Sequence, residues 1–209
     1  MTSYKDAGVD ISTADAAKQE MKKSLDNRDK RVLNELGAFA SLAEGTFDGI
    51  KDPILVLKTE EPGSKQLLAF QNGKIRSICE DTINHLIDDI IVMGATPLYV
   101  QDAVICGKLE KDVVTELVAG FADACSAQDC VLVCVETSEQ PGVIDPGTYI
   151  LTASIVGVVD RSKIINGEQI EKGDTVIALA SNGLHTNGYT LVRHLMKKNP
   201  EFATRDIDG

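Results

Sequence analysis

The richest chemistry lies between Thr175 and Arg193, TVIALASNGLHTNGYTLVR. The stretch reads as a buried strand (Val176 to Leu179), a polar loop (Ser181 to Gly188) and the first turns of a helix. Gly183 and Gly188 allow a sharp turn and a close backbone approach to a ligand. A loop that opens a helix presents unpaired N–H groups and the positive end of the helix dipole, which suits an anion such as phosphate. His185 and Asn187 sit in that loop, where they can reach the same ligand. An ordinary strand-to-helix turn with Asn187 as N-cap accounts for the same pattern.

Three further places carry acids or bases at suggestive positions. The turn Lys58 to Lys65, KTEEPGSK, holds Glu60, Glu61, Ser64 and Lys65 around a Pro62-Gly63 turn signal. It reads as a solvated turn, or as an acidic and basic pair placed at a phosphate. On the helix expected from Ser77 to Met93, Asp81, Asn84, His85 and Asp88 follow at helical steps, with Asp89 beside Asp88. Acids late in a helix oppose its macrodipole and invite a compensating cation such as Mg²⁺. A solvated helix face explains the same spacing. Finally, Asp102 interrupts an apolar strand, and Glu136 follows a buried one. Acids beyond the C-terminal end of a strand are well placed to hold a metal–phosphate.

The elements that must position these groups follow from periodicity. Residues 14 to 31 read as a charged helix capped by Ser12 or Thr13, with Ala17, Met21 and Leu25 along one side. Pro53 to Leu57 reads as a strand. In the helix 77–93, Ser77 and Glu80 have capping-box spacing, and Cys79, Ile83, Leu86, Ile87 and Ile90 form one apolar face. Gly94 is the expected helix stop. Pro97 to Cys106 is a strand. Glu110 to Gln128 is an amphipathic helix with Val113, Leu117, Phe121 and Ala124 on one side, and Cys130 to Val135 is a second strand. This order suggests a βαβ unit and leaves open whether the two strands are neighbours. Thr148 to Val159 is a further strand. The polar connection that follows, with its Asn166-Gly167 turn, marks the expected boundary between a domain over 1–165 and the start of another over 166–209.

Composition narrows the class. The chain has 209 residues, of which 43% are hydrophobic and only 4% aromatic, so an aliphatic core is expected. A net charge of −11 argues against nucleic acid or an anionic membrane as partner. There is no run long enough to span a bilayer and no signal-peptide pattern, so a soluble cytoplasmic protein is expected. The five cysteines include no CxxC and read as small buried hydrophobes in a reducing compartment.

Four blocks in order carry a resemblance: SYKDAGVDI (3–11), INHLIDDIIVMGATPLYVQDAVICGKL (83–109), ETSEQPG (136–142) and GDTVIALASNGLHTNGYTLVR (173–193). Together they resemble the phosphoribosylformylglycinamidine cyclo-ligase (aminoimidazole ribonucleotide synthetase) family from residue 3 to about 195. The resemblance implies an α/β fold of the α+β type. Its N-terminal domain has a mixed sheet flanked by helices that forms a barrel across a homodimer, and the start of a second α/β domain follows. It implies ATP-dependent closure of the imidazole ring of formylglycinamidine ribonucleotide in purine synthesis, with ATP and Mg²⁺ bound near the dimer interface. Carried over position by position, Asp89, Glu136 and Asp102 are the metal carboxylates. Lys65, His185 and Asn187 are the catalytic groups at the phosphate and the reacting amide. Lys5, Asp6, Glu60, Ser64, Asp89 and Gly183 belong to the nucleotide site.

The chain departs from the family at that site. Where the family reads TDGVGTK, residues 59 to 65 read TEEPGSK, so Glu60 replaces an aspartate and Pro62 brings no N–H to a phosphate. Cys134-Val135 replaces a glycine pair, and Asp88-Asp89 replaces Asn-Asp. A second reading follows from these changes: a non-catalytic dimeric scaffold, or a fragment of the enzyme with a weakened ATP site.

Overall fold

The computed structural model describes residues 10–25, 29–34 and 40–206. Helix α1 (Ile11–Ser24) starts one turn earlier than its apolar spacing suggests, because Asp10 and not Ser12 or Thr13 caps it. The Asp10 carboxylate accepts from the backbone N–H of Ser12 at 3.1 Å and of Thr13 at 3.3 Å. Ala17 and Met21 are buried, as their spacing by four predicts.

Four strands form one mixed sheet: β1 (Pro53–Glu60), β2 (Thr96–Cys106), β3 (Val131–Glu139) and β4 (Tyr149–Asp160), in the spatial order β1-β4-β2-β3. β4 runs antiparallel to both of its neighbours, and β2 and β3 are parallel. The expected βαβ unit is therefore real, and its strands are adjacent, joined by helix α4 (Lys111–Ala127). Two strands extend further than their apolar runs suggest. β1 continues through Lys58, Thr59 and Glu60, and β3 through Glu136 to Glu139, because ladder bonds to β4 and β2 hold polar residues that have no strand propensity of their own. The segment after Gly63 is a short helix, α2 (Lys65–Gln71).

Helices cover one face of the sheet. Helix α3 (Ile75–Ile91) buries Ile78, Cys79, Thr82, Ile83, Leu86, Ile87 and Ile90. It meets Val100 and Val104 of β2 and Leu151 and Ile155 of β4 in one aliphatic core with Leu117 and Phe121 of α4. α3 comes so close to β4 that a Cβ at Gly157 would lie 2.8 Å from Ile90 Cδ1 and 2.9 Å from the Thr96 carbonyl. The capping box expected at Ser77 does not form. The N-cap is Lys74, without a side-chain cap bond, and the first turn is held by packing of Ile78 instead.

The other face of the sheet is more open. Residues 43–50 cover part of it through Ala43, Phe47 and Ile50, which pack on Leu98, Tyr99 and Val158, but Leu55 and Leu57 of β1 remain 54% and 69% exposed. All five cysteines are free, and Cys134 alone of them is not buried.

Beyond β4 the expectation of a buried strand at Val176–Leu179 fails. No strand forms there, and Val176, Ile177 and Leu179 are almost fully exposed. An apolar run becomes a strand only where a neighbour takes up its backbone N–H and C=O groups, and none of the described residues pairs with it. Helix α5 (Tyr189–Lys198) does form and leans on the start of α2 through a 3.1 Å Ser64–Thr190 hydroxyl bond.

Asp102 is the one buried carboxylate among the described residues. It faces the helix side of β2, is 5% exposed, and neither oxygen has a hydrogen-bond partner among the described residues. Burial pushes its acid up to about 8. The unfolded chain ionises first, near the ordinary aspartate value of 3.8, so the fold loses stability as pH rises from there toward the folded-state value. Below that window Asp102 contributes nothing. Asp102→Asn is expected to raise neutral-pH stability by up to about 4 kcal/mol and to flatten the fall of urea-denaturation stability between about pH 5 and 7.5. An unchanged pH profile would show that Asp102 is not the group responsible.

Candidate functional site

The packing of α3 on the sheet turns its polar side toward the end of β1. Along β1, Ile54, Val56, Lys58 and Glu60 alternate with the exposed Leu55 and Leu57, so Lys58 and Glu60 point to the helix side. Lys58 Nζ lies 2.8 Å from Glu60 Oε1 and 3.1 Å from Asp89 Oδ2. His85, one turn before Asp89, brings Nε2 to 3.8 Å from the same Asp89 oxygen. Glu60, His85 and Asp89 each offer a ligand atom, and the three atoms lie within 4.8 Å of one another. Lys58 lowers the Glu60 acid below its ordinary range, mainly through their hydrogen bond. The two carboxylates in turn raise the Lys58 ammonium, Glu60 most.

One turn back along α3, Asp81 pairs with Lys65 at the start of α2. The Lys65 ammonium also stands 5.2 Å from the centroid of the Tyr189 ring. The turn Glu61–Ser64 and the start of α5 are therefore neighbours, joined by Lys65–Tyr189 and Ser64–Thr190. The proline and glutamate of this turn cost it little backbone strain. Gly63 carries the positive φ (58°), while Pro62 is buried and Glu61 keeps a negative φ.

The loop before α5 is exposed throughout, apart from a half-buried Thr186. His185 Nε2 lies 3.2 Å from Ser181 Oγ, which donates to the Gly183 carbonyl at 2.6 Å. Gly183 has φ 140° and Gly188 φ 86°. Gly188, not Asn187, occupies the N-cap, because the left-handed backbone there excludes a side chain at little cost only for glycine. The loop thus leads into the end of α5 whose Tyr189 and Thr190 meet Lys65 and Ser64.

The sequence-derived set divides in the structure. Glu60, Ser64, Lys65 and Asp89 gather at the end of β1 and the start of α2, and Gly183, His185 and Asn187 lie in the adjoining loop. Lys5 and Asp6 lie outside the described residues. Two of the expected metal carboxylates lie apart from this group. Glu136 sits on β3 opposite Ala103, exposed on the open face of the sheet. Glu60 is three strand spacings away, about 14 Å, on the helix-covered face, so one chain does not bring Asp89 and Glu136 to one cation. Asp102 shares a cross-strand row with Glu60, with Ala153 between them. It is sealed in the core and is not part of the Glu60–His85–Asp89 group. His85 and Lys58 were missed. The signal for His85 was its position one turn before Asp89, and for Lys58 the alternation Ile54, Val56, Lys58, Glu60, visible only once β1 is extended to residue 60.

Comparison with known proteins agrees with this architecture. Residues 49–159, more than half of the chain, match the family described as AIR synthase related protein, N-terminal domain. A phosphoribosylformylglycinamidine cyclo-ligase of Bacillus cereus (strain G9842) is 39% identical over 207 residues, covering 99% of this chain and 60% of that protein. One from Bacillus thuringiensis (strain Al Hakam) is 38% identical over the same length and shares. The chain thus spans about 60% of the length of these relatives. Among solved structures, hydrogenase maturation protein HypE in complex with ATP matches with a TM-score of 0.53 at 16% identity, over 78% of this chain and 45% of that one. HypE of E. coli matches with a TM-score of 0.52 at 13% identity, over 77% and 48%. At these identities the two structures show a shared fold. With the four-stranded mixed sheet, its helix-covered face and the match over 49–159 in hand, the chain belongs to the AIR synthase related protein family, of which it holds the N-terminal domain.

Proposed function

We propose that this chain carries the nucleotide side of an ATP-dependent cyclo-ligase that closes the imidazole ring of formylglycinamidine ribonucleotide in purine synthesis. The observation that carries the reading is the gathering of Glu60, Asp89, Lys65 and Ser64 at one end of the sheet, where Ser64 and Lys65 meet the start of α5, the helix that the loop 181–188 opens. The 38–39% identity to cyclo-ligases over 99% of the chain supports the choice of reaction. Phosphoryl transfer needs positioning and charge neutralisation more than covalent chemistry from the protein. Lys65 places an ammonium where a transferred phosphate collects charge, held there by Asp81 and the Tyr189 ring. Ser64 and the N–H groups opening α5 add donors. His185 and Asn187 serve the ribonucleotide and its amide, and the resemblance assigns Lys5 and Asp6, outside the described residues, to the nucleotide.

The Glu60 and Asp89 carboxylates suit Mg²⁺, a hard cation that takes oxygen ligands, and His85 is the softer third donor. When bound there, Mg²⁺ neutralises phosphate charge. The domain division at about residue 165 places the loop 181–188 at the start of a second domain that completes the substrate side.

The open face of the sheet supports a homodimer. Leu55 and Leu57 form an apolar patch with Val156 in the cross-strand register, and pairing two such faces would build the barrel. Glu136 lies on this face, so it reaches a nucleotide only through the assembly. The aliphatic core, the charge of −11 and the absence, among the described residues, of a helix long and apolar enough to cross a membrane fit a cytoplasmic enzyme with no nucleic-acid partner.

Calorimetric titration of the chain with ATP, with and without Mg²⁺, tests the reading. Saturable binding that needs Mg²⁺ is expected, weakened about tenfold or more by Asp89→Asn, the loss of one charge-assisted ligand. A flat titration of folded protein at millimolar ATP would overturn it and leave the scaffold reading. Leu57→Glu is expected to convert a dimer to monomer in sedimentation at unchanged circular dichroism, since it buries an unpaired charge in the interface. A dimer that survives this change would place the interface elsewhere.

A further inference from the structure

The end of β1 holds a positive charge of its own in the place a metal ion would take. Lys58 Nζ bridges Glu60 Oε1 at 2.8 Å and Asp89 Oδ2 at 3.1 Å, and these residues, with His85, form the group whose ligand atoms converge within 4.8 Å. Two carboxylates converging on one point repel each other unless a positive charge lies between them. A divalent ion would share the Lys58 oxygens and stand a few ångströms from the ammonium, so the two cations compete. Lys58 is free to yield: its side chain is 37% exposed, and its four-carbon stem swings on rotatable bonds. His85 brings Nε2 to 3.8 Å from Asp89 Oδ2 at the same point. An imidazole beside two carboxylates suits a transition-metal ion better than Mg²⁺, and Mn²⁺, which shares the carboxylate preference of Mg²⁺, is the ion to probe the site with.

We propose that Lys58 is a tethered counter-cation that occupies the Glu60–His85–Asp89 site, so that a divalent ion binds only by displacing it. The lysine keeps the two carboxylates apart from solvent cations at rest. It raises the divalent concentration at which the site fills. Metal occupancy then depends on a ligand, such as a polyphosphate, that helps draw the ion in. The proposal rests on the reading of Glu60 and Asp89 as cation ligands but not on catalysis.

The test is a titration of the nucleotide-free chain with Mn²⁺, with free ion followed by electron paramagnetic resonance. Lys58→Met is expected to bind one Mn²⁺ about tenfold or more tightly than the unaltered chain, as removal of a like charge a few ångströms away requires. Lys58→Arg, which keeps the charge, is expected to stay at the unaltered affinity. The gain is expected to vanish in Lys58→Met/Asp89→Asn and to shrink in Lys58→Met/His85→Ala. Should Lys58→Met not fold, Lys58→Gln serves with the same expectation. Should either variant fold only with Mn²⁺ present, that too supports the counter-cation role. Equal Mn²⁺ affinity with and without the lysine, or no Mn²⁺ binding by any folded variant, overturns it. Because no nucleotide is present, this failure is separate from a failed ATP titration: intact Mg²⁺-dependent ATP binding with unchanged Mn²⁺ affinity would remove the role of Lys58 and keep the nucleotide site.

Discussion

Everything at the site depends on how α3 lies on the sheet. Its apolar face, Ile78, Ile83, Leu86 and Ile90, is fully buried against β2, β4 and α4. Burial of four such side chains is worth several kcal/mol, about 1.5–3 each, so the helix cannot rotate without large cost. The contact is closest at Gly157, where no side chain could stand between β4 and Ile90. Once that face is locked, helical geometry dictates the other one: Asp81, His85 and Asp89, a turn apart, must face the ends of α2 and β1. Lys65 and Lys58 meet them there. The polar site is a consequence of an apolar packing decision made on the opposite side of the same helix.

The charges at the site are balanced locally. Asp81 is matched by Lys65, and Glu60 with Asp89 by Lys58. These pairs are partly exposed, so each is worth little to stability, about 0–1 kcal/mol. Their value is positional. Lys65 is aimed between Asp81 and the Tyr189 ring, which ties the turn after β1 to the start of α5. The Ser64–Thr190 hydroxyl bond is the second tie. The core, by contrast, contains an unpaired carboxyl in Asp102. Its placement in the row between Ala153 and Val135 leaves it no partner, and it stays protonated over much of the physiological range.

The sheet has two unlike faces. One is closed by α3, α4 and α1, and carries Glu60. The other keeps Leu55 and Leu57 open and carries Glu136. A strand puts successive residues on opposite faces. Residues close in the chain or alike in type therefore end up serving different surfaces, and this separates Glu136 from Asp89.

The sequence by itself determined the elements and the core. The spacing of Cys79, Ile83, Leu86, Ile87 and Ile90 marked the buried face of α3, and Val113, Leu117, Phe121 and Ala124 that of α4; all are buried except Val113, which is half-buried at the edge of the core. The βαβ unit was legible from strand and helix order, and the mixed sheet flanked by helices followed only from the resemblance carried by four ordered blocks. Local periodicity carries that information because burial acts on every turn of a helix or alternate residue of a strand. Only the tertiary structure decided where strands end, which strands are neighbours and which polar groups meet. β1 runs on to Glu60 because β4 pairs with it, so Lys58 and Glu60 turn toward α3. Val176–Leu179 stays exposed because no strand of the described residues pairs with it. Asp102 and Glu136 share the carboxylate chemistry of Asp89, and pairing register and sheet face sent one into the core and the other to the far side. Such outcomes depend on contacts between residues far apart in the chain, which local spacing does not encode.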